Sequence, residues 1–272
     1  MSVRLIAMDM DGTLLDEHSL IPERNLEALR AAKEQGVVVA IDSGRYAENI
    51  LAVLEEHHFS CPVIATNGTK VVTEDGKILG MHAFSAETAM KLRGMLKESG
   101  CLYYIYGPDF LAVSDKNQRH HSEIRYGEMI EKNYHFTFHH GEDMIEQLIT
   151  RPILKFYICD NGHLPEMREM MKNIPDVFVS SSGITNLELT PAGFDKATGV
   201  MELAAIYGIG AEDVMTFGDQ ENDLPMLKAA GWGTAMGNAP DEIKQQVRYV
   251  TETNTACGVA RAIERYVLKS EE

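Results

Sequence analysis

Two carboxylates stand directly after a short apolar run near the start of the chain, and this feature constrains the fold most. The run is Leu5–Met8, and the segment Asp9-Met10-Asp11-Gly12-Thr13 follows it. Gly12 allows the chain to turn sharply there. Because ligands of open α/β sheets bind at the carboxyl ends of strands, the pattern predicts a strand that presents acidic side chains to a site.

A second acidic segment follows another apolar run much later in the chain. The run covers residues 214–217, and Gly218-Asp219-Gln220-Glu221-Asn222-Asp223 comes after it. If both strand ends meet at one sheet edge, their carboxylates require a cation between them. A hard divalent ion takes oxygen ligands and keeps water and substrate phosphate in its shell. The two segments therefore predict a Mg²⁺ site that handles phosphate.

Apolar runs alternate with helical patterns in the first part of the chain. After the first strand we expect a helix over residues 22–35, a strand over 37–41, a helix over 47–57 and a strand over 63–66. Pro22 suits a first helical turn, and Gly36 suits a helix end. The strands show little polar alternation, which is typical of a parallel sheet covered on both faces.

The pattern changes after Asn67-Gly68. Residues 71–73 and 78–79 predict a β-hairpin, and residues 83–187 mix helices with aromatic-rich strands. Alternation of helix and strand resumes at Lys196, with strands expected at 214–217 and 233–236 and a last helix at 259–268. The prediction is an α/β protein with a Rossmann-like parallel core, residues 1–82 and 188–272, interrupted by an α+β cap over 83–187.

Composition excludes several classes of partner. The 272 residues carry a formal net charge of −16, which makes binding to nucleic acid or an anionic membrane improbable. A phosphate site in such a chain has to supply its own positive field. The four cysteines are far apart, so neither a disulfide framework nor a zinc site is expected. Without a signal-type segment or an apolar run of bilayer length, the expected location is cytoplasmic.

Four motifs in chain order resemble those of the haloacid dehalogenase (HAD) superfamily of phosphohydrolases. They are the segment 9–13, Ser43-Gly44-Arg45, Lys196 and the segment 218–223. The Gly-Asp-x-x-Asn-Asp form of the last motif, with the long insert before Lys196, is similar to the sugar-phosphatase-like Cof-type subgroup. The resemblance covers essentially the whole chain.

The first two motifs supply the candidate reacting groups. Asp9 is the expected nucleophile, which would form an aspartyl phosphate and also bind the metal. Asp11 would serve as proton donor and acceptor, and the resemblance implies that its backbone carbonyl binds the metal. The resemblance also implies a phosphate contact from the Met10 amide. Ser43 and Gly44 suit the grip on phosphoryl oxygens, although a Ser-Gly pair by itself is more often a turn.

The last two motifs supply charge. Lys196 would counter the combined charge of Asp9 and phosphate, the alternative being a surface lysine paired with Asp195. Asp219 is expected to bind the metal, and Asn222 to meet phosphate or a metal-bound water. Three further residues are candidates. Arg45 would add positive charge near the pocket, Asn67 would face the substrate, and Asp223 would orient Lys196 or the waters of the metal.

The resulting hypothesis is a Mg²⁺-dependent phosphatase that acts on a small phosphorylated metabolite, with a sugar phosphate as the expected substrate and the cap as its selector. Two alternatives remain open at this point. One is a phosphotransferase or phosphomutase, in which an alcohol resolves the aspartyl phosphate. The other is a non-catalytic sensor that binds a phosphate ligand. The sequence leaves the oligomeric state open.

Overall fold

The computed structural model describes residues 2–159 and 162–269, and these residues form two β-sheets. The elements before the insert are β1 (Leu5–Met8), α1 (Glu23–Glu34), β2 (Val38–Asp42), α2 (Ala47–Glu56), β3 (Val63–Ala65), β4 (Lys70–Val72) and β5 (Ile78–Met81). The elements of the insert are α3 (Ala86–Ser99), β6 (Tyr103–Tyr106), β7 (Phe110–Val113), α4 (His121–Tyr134), β8 (Thr137–His140), α5 (Glu142–Leu148), β9 (Lys155–Cys159), α6 (Leu164–Lys172), β10 (Val177–Ser180) and β11 (Asn186–Pro191). The elements after it are α7 (Lys196–Ile206), β12 (Val214–Gly218), α8 (Leu224–Ala229), β13 (Trp232–Ala235), α9 (Asp241–Lys244), β14 (Tyr249–Val250) and α10 (Gly258–Ile263).

The core sheet has eight strands in the order β14-β13-β12-β1-β2-β3-β4-β5. All neighbouring pairs are parallel except β3–β4 and β4–β5. The last residue of β1, Met8, pairs with Ile41 on one side and Phe217 on the other. The three central strands therefore end level with one another, and the segments that follow them leave from the same edge.

Burial of β1 on both faces explains its uninterrupted apolar sequence. Ile6 and Met8 pack into one cluster with α1, α2 and α10, whereas Leu5 and Ala7 pack into a second cluster with α7 and α8. The predicted α/β class with a parallel core sheet is confirmed. Among the described residues, no helix combines the length and apolar character needed to cross a bilayer.

The insert forms a second sheet, here called the cap sheet, with the strand order β10-β11-β9-β6-β7-β8. Its strands are antiparallel except for the parallel pair β7–β8. Helices α3, α5 and α6 cover one face. Residues of the other face, including Tyr104 and Tyr106, pack with Ile130 of α4 and with Tyr46 of the core.

Several elements differ from the sequence predictions. Strand β7 and the helices α4 and α5 have no counterpart among the predicted elements. Helix α4 buries only Ser122 and Ile130 among its own residues, so its apolar periodicity is weak. The predicted domain boundaries stay predictions. Strand β11 runs across the one placed between residues 187 and 188.

Candidate active site

Lys196 lies between two carboxylates at the carboxyl edge of the core sheet. Its Nζ donates to Asp9 Oδ1 at 2.7 Å and to Asp223 Oδ1 at 2.6 Å. Burial by itself would lower the pKa of Lys196, but the charges of Asp223 and Asp9 raise it well above its ordinary value. The alternative of a surface lysine is wrong, since the side chain is fully buried and Asp195 instead accepts from the Thr198 amide.

Asp223 is held from two directions. Its Oδ1 accepts from Lys196, and its Oδ2 accepts from the backbone amides of Asp219 and Gln220 at 2.8 and 2.9 Å. Both oxygens therefore have donors within the protein. This arrangement suits a residue that orients Lys196 and the loop after β12, as the sequence suggested.

Asp219 lies beside the turn that follows β1. Thr13 Oγ1 donates to its Oδ1 at 2.8 Å, and Gln220 Nε2 donates to its Oδ2 at 3.0 Å. Burial raises the pKa of Asp219 to about 6. Gly12 has φ +77°, and a Cβ at this position would lie 2.5 Å from Asp219 Oδ2. Only glycine fits here without moving the carboxylate.

The residues at this edge fit a divalent cation. Asp9, Asp219 and Asp223 each offer an oxygen, and these three atoms lie within 4.8 Å of one another. Burial also raises the pKa of Asp9 well above its ordinary value, a penalty that a bound cation would relieve. Asn222 Oδ1 is buried without a hydrogen-bond partner in the described residues, so it is available to a ligand or to metal-bound water.

Arg45 holds the side chain of Asp11 in a two-point contact. Its Nε donates to Asp11 Oδ2 at 2.7 Å and its Nη2 to Oδ1 at 2.5 Å, while Nη1 donates to Asn49. Burial works to raise the pKa of Asp11, but the hydrogen bonds and charge of Arg45 outweigh it and lower the pKa. Asp11 is thus held ionised by its contact with Arg45.

A cavity of about 510 Å³ lies between the core edge and the cap sheet. The candidate residues that line it are Asp9, Asp11, Ser43, Gly44, Arg45 and Asn222. Lys196, Asp219 and Asp223 are buried at the same edge and contact one another or Asp9. The Met10 side chain packs in the core, which leaves its backbone as the part able to meet a ligand. The structure therefore gathers the predicted residues at one place.

The cap wall of the cavity contains groups that the sequence did not single out. Lys155 and Glu188 form a buried ion pair there, beside Tyr106 and Tyr157. The available signal was a single charged residue in each of the buried strands β9 and β11. His120 also lines the cavity, and its burial lowers its pKa to about 3.

The sequence matches the family model of haloacid dehalogenase-like hydrolases over residues 6–263. The chain belongs to this family. At the level of the family, the predicted enzyme class, a phosphoric monoester hydrolase of the HAD type, is confirmed.

Individual relatives of this HAD-like hydrolase align with it over almost their whole length. The 5-amino-6-(5-phospho-D-ribitylamino)uracil phosphatase YcsE of Bacillus subtilis (strain 168) is 28% identical over 98% of this chain and 96% of its own. The pyridoxal phosphate phosphatase YbhA of Escherichia coli (strain K12) is 25% identical over 98% of this chain and 100% of its own. A solved haloacid dehalogenase-like hydrolase from B. subtilis shares the fold with a TM-score of 0.86 at 23% identity, covering 97% of this chain and 100% of its own.

Proposed function

We propose that this HAD-like hydrolase is a Mg²⁺-dependent phosphatase that hydrolyses small phosphorylated metabolites through an aspartyl phosphate on Asp9. One observation carries the proposal. Asp9 lies on the wall of the cavity with its Oδ1 2.7 Å from the Lys196 ammonium, and Asp219 offers an oxygen to the same cluster. A nucleophilic carboxylate beside a buried cation and a metal-binding carboxylate is an arrangement suited to phosphoryl transfer.

The proposed hydrolysis consists of two displacements at phosphorus. In the first, Asp11 takes up a proton once its contact with Arg45 is broken, a carboxylate oxygen of Asp9 bonds to phosphorus, the bond to the leaving oxygen breaks, and Asp11 donates its proton to that oxygen. In the second, Asp11 accepts a proton from water, whose oxygen bonds to phosphorus and releases Asp9. A bound Mg²⁺ would supply the positive charge that lets a carboxylate approach a phosphate dianion.

The remaining core residues bind and orient in this proposal. Asp9, Asp219 and the backbone carbonyl of Asp11 would hold the metal, while Asp223 orients Lys196. The Ser43 hydroxyl and the amides of Met10 and Gly44 would contact phosphoryl oxygens, where hydrogen bonds favour the transition state. The Arg45 contact with Asp11 supports an exchange in which substrate attracts the guanidinium and frees the general acid.

The expected substrate is a sugar phosphate or a similarly small metabolite. The cavity volume of about 510 Å³ suits a small organic body, and its cap wall combines the phenol rings of Tyr104 and Tyr157 with the polar side chain of Asn186. The names of the two relatives above also refer to small phosphorylated compounds. A cytoplasmic location and the absence of nucleic-acid partners stay predictions from the sequence.

The decisive test is turnover of p-nitrophenyl phosphate by Asp9→Asn with Mg²⁺ present. We expect no turnover above background, because a carboxamide does not attack phosphorus. Asp241→Asn is the matched control, since Asp241 has an exposed side chain and only a surface ion pair with Lys244. Chelation of the metal should abolish wild-type activity, and Mg²⁺ should restore it. Undiminished turnover by Asp9→Asn would refute the covalent mechanism.

Product analysis and a binding measurement separate the two alternatives. A phosphotransferase would pass phosphate to an added alcohol or primed sugar instead of releasing it. A sensor would bind a phosphorylated ligand in the presence of Mg²⁺ without releasing phosphate. The intact set of Asp9, Asp11, Lys196 and Asp219 favours hydrolysis over the sensor.

A further inference from the structure

A buried ion pair of the cap sheet contacts three parts of the core site. Lys155 Nζ donates to Glu188 Oε1 at 2.5 Å and, across the boundary between sheets, to the Gly44 carbonyl at 2.7 Å. Glu188 Oε2 accepts from Asn67 Nδ2 at 2.8 Å and from Asn222 Nδ2 at 3.1 Å. The core segments that follow β2, β3 and β12 are thus joined through two cap-sheet side chains.

The packing around this pair leaves little freedom. A Cβ on Gly44 would lie 3.0 Å from Lys155 Nζ and 3.1 Å from Glu188 Oε1. Both charged side chains are buried, with 1% and 3% of their surface exposed. A carboxylate accepts hydrogen bonds at both oxygens, and each oxygen of Glu188 here faces donors only. The Asn222 amide, whose Oδ1 has no partner among the described residues, is oriented by its Nδ2, which donates to Glu188 Oε2 at 3.1 Å and, at the longer distance of 3.4 Å, to Asn67 Oδ1.

We propose that Glu188, which Lys155 holds in place, is a positioning residue for the phosphate-binding edge of the core. This edge is complete only when the cap sheet is docked on it. The inference rests on the proposed phosphatase function. It assigns the cap a second role besides selecting the organic part of the substrate. The pair acts through Asn222, Asn67 and Gly44. Its effect on activity is therefore independent of the leaving group of the phosphate ester.

The competing role is direct contact with the leaving group, since Lys155 and Glu188 both line the cavity. The two roles differ in their substrate dependence. A leaving-group contact affects large substrates and spares small ones. A positioning contact affects every phosphate ester by the same factor and also weakens the binding of inorganic phosphate, which has no organic part.

The test begins with Glu188→Gln. A glutamine has one accepting oxygen and one donating amide, so it places a donor against either Lys155 or the two asparagine amides. We expect kcat/KM to fall about 10- to 100-fold, as is common when a supporting hydrogen bond is removed. The factor should be equal for p-nitrophenyl phosphate, glucose 6-phosphate and pyridoxal phosphate, and the affinity for inorganic phosphate with Mg²⁺, measured by calorimetry, should fall in parallel.

The double variant Lys155→Met/Glu188→Gln provides a rescue that a purely structural role would not give. With the ammonium gone, the glutamine oxygen can turn to Asn67 and Asn222. We expect it to regain activity and phosphate affinity relative to Glu188→Gln, staying within about tenfold of the wild type. If Glu188→Gln does not fold, this double variant decides alone, and a larger loss overturns the proposal.

Lys70→Met is the matched control for loosening the cap. Lys70 Nζ donates to Glu48 at 2.6 Å and to the Pro108 carbonyl of the insert at 2.7 Å. Like Lys155, it therefore joins the core to the insert through an ion pair and a backbone carbonyl, but it lies beside a separate cavity. We expect near wild-type kcat/KM. An equal loss in Lys70→Met, or a loss in Glu188→Gln confined to the larger substrates, overturns the proposal. Unchanged activity and phosphate affinity in Glu188→Gln would do the same, whereas an inactive wild type would refute the proposed function instead.

Discussion

Replacing Lys196 by methionine leaves two buried carboxylates facing each other without a cation. Lys196 now contacts Asp9 and Asp223 at 2.7 and 2.6 Å, and its side chain is wholly inaccessible to water. Removing one partner of a buried ion pair costs about 3–5 kcal/mol, because the remaining charge stays desolvated. We therefore expect the metal-free Lys196→Met protein to lose about 3–5 kcal/mol of its free energy of unfolding at pH 7.5.

The same loss should depend on pH in a defined direction. Without the ammonium, the pair of carboxyls retains a proton, so the pKa of one of them rises above the value of about 4 that it has when unfolded. A carboxyl whose pKa is raised by folding stabilises the folded state while it is protonated. That stabilisation is lost as the pH rises from the unfolded pKa through the folded one. In the wild type, burial already raises the pKa of Asp9 while the charge of Lys196 lowers it, so losing the ammonium raises that pKa further. The gap to the wild type should therefore widen as the pH rises, by up to about 1.4 kcal/mol per pH unit.

Urea unfolding in the presence of a chelator, at pH 5 and pH 7.5, measures both quantities. Lys172→Met is the matched control, because Lys172 has a half-exposed side chain and forms a surface ion pair with Glu169. Such a pair contributes about 0–1 kcal/mol. A Lys196→Met protein within about 1 kcal/mol of the wild type at pH 7.5, or one equally destabilised at both pH values, would refute this account of the site.

Two further predictions concern the metal-binding edge. Gly12→Ala should raise the Mg²⁺ concentration needed for half-maximal activity, because its Cβ would lie 2.5 Å from Asp219 Oδ2. Gly36→Ala is the control, since Gly36 has φ +82° and no atom within 4 Å of an added Cβ. It should lose only about 1–2 kcal/mol of its free energy of unfolding from the strained backbone. Identical metal dependence in both variants would contradict this. At ten times its dissociation constant, Mg²⁺ should stabilise the wild type by about 1.4 kcal/mol in a thermal unfolding assay, and Asp219→Asn much less. An equal shift in both proteins would remove Asp219 from the metal site.

The core could be predicted from sequence because its signals are local. A strand buried on both faces needs an apolar run, and the carboxyl edge of a parallel sheet gathers whatever follows each strand. Asp9, Ser43 and Asp219 each come directly after one of the strands β1, β2 and β12, and the level register of these strands places them together. Neither step requires knowledge of a distant contact.

The cap wall could not be predicted because its signals are tertiary. Helix α4 has a mostly exposed, charged surface and is placed by contacts with α2, such as the hydrogen bond from Tyr126 to Glu56 at 2.6 Å. Lys155 and Glu188 are single charges in apolar strands, and nothing local shows that they pair across the cap sheet. The hold of Arg45 on Asp11 likewise joins two loops 34 positions apart in the chain.

The charges around the cavity favour a bound divalent cation. The cations at and beside the cavity are already paired: Lys196 with Asp9 and Asp223, Lys155 with Glu188, Arg45 with Asp11, and Arg119 with Glu123. Asp219 adds a further carboxylate that accepts only from neutral donors. If all these groups are ionised, a phosphate dianion enters a site that is already net negative in a protein whose formal charge is −16. Side chains alone therefore repel the substrate, and a divalent cation between Asp9 and Asp219 is the least costly way to reverse that field.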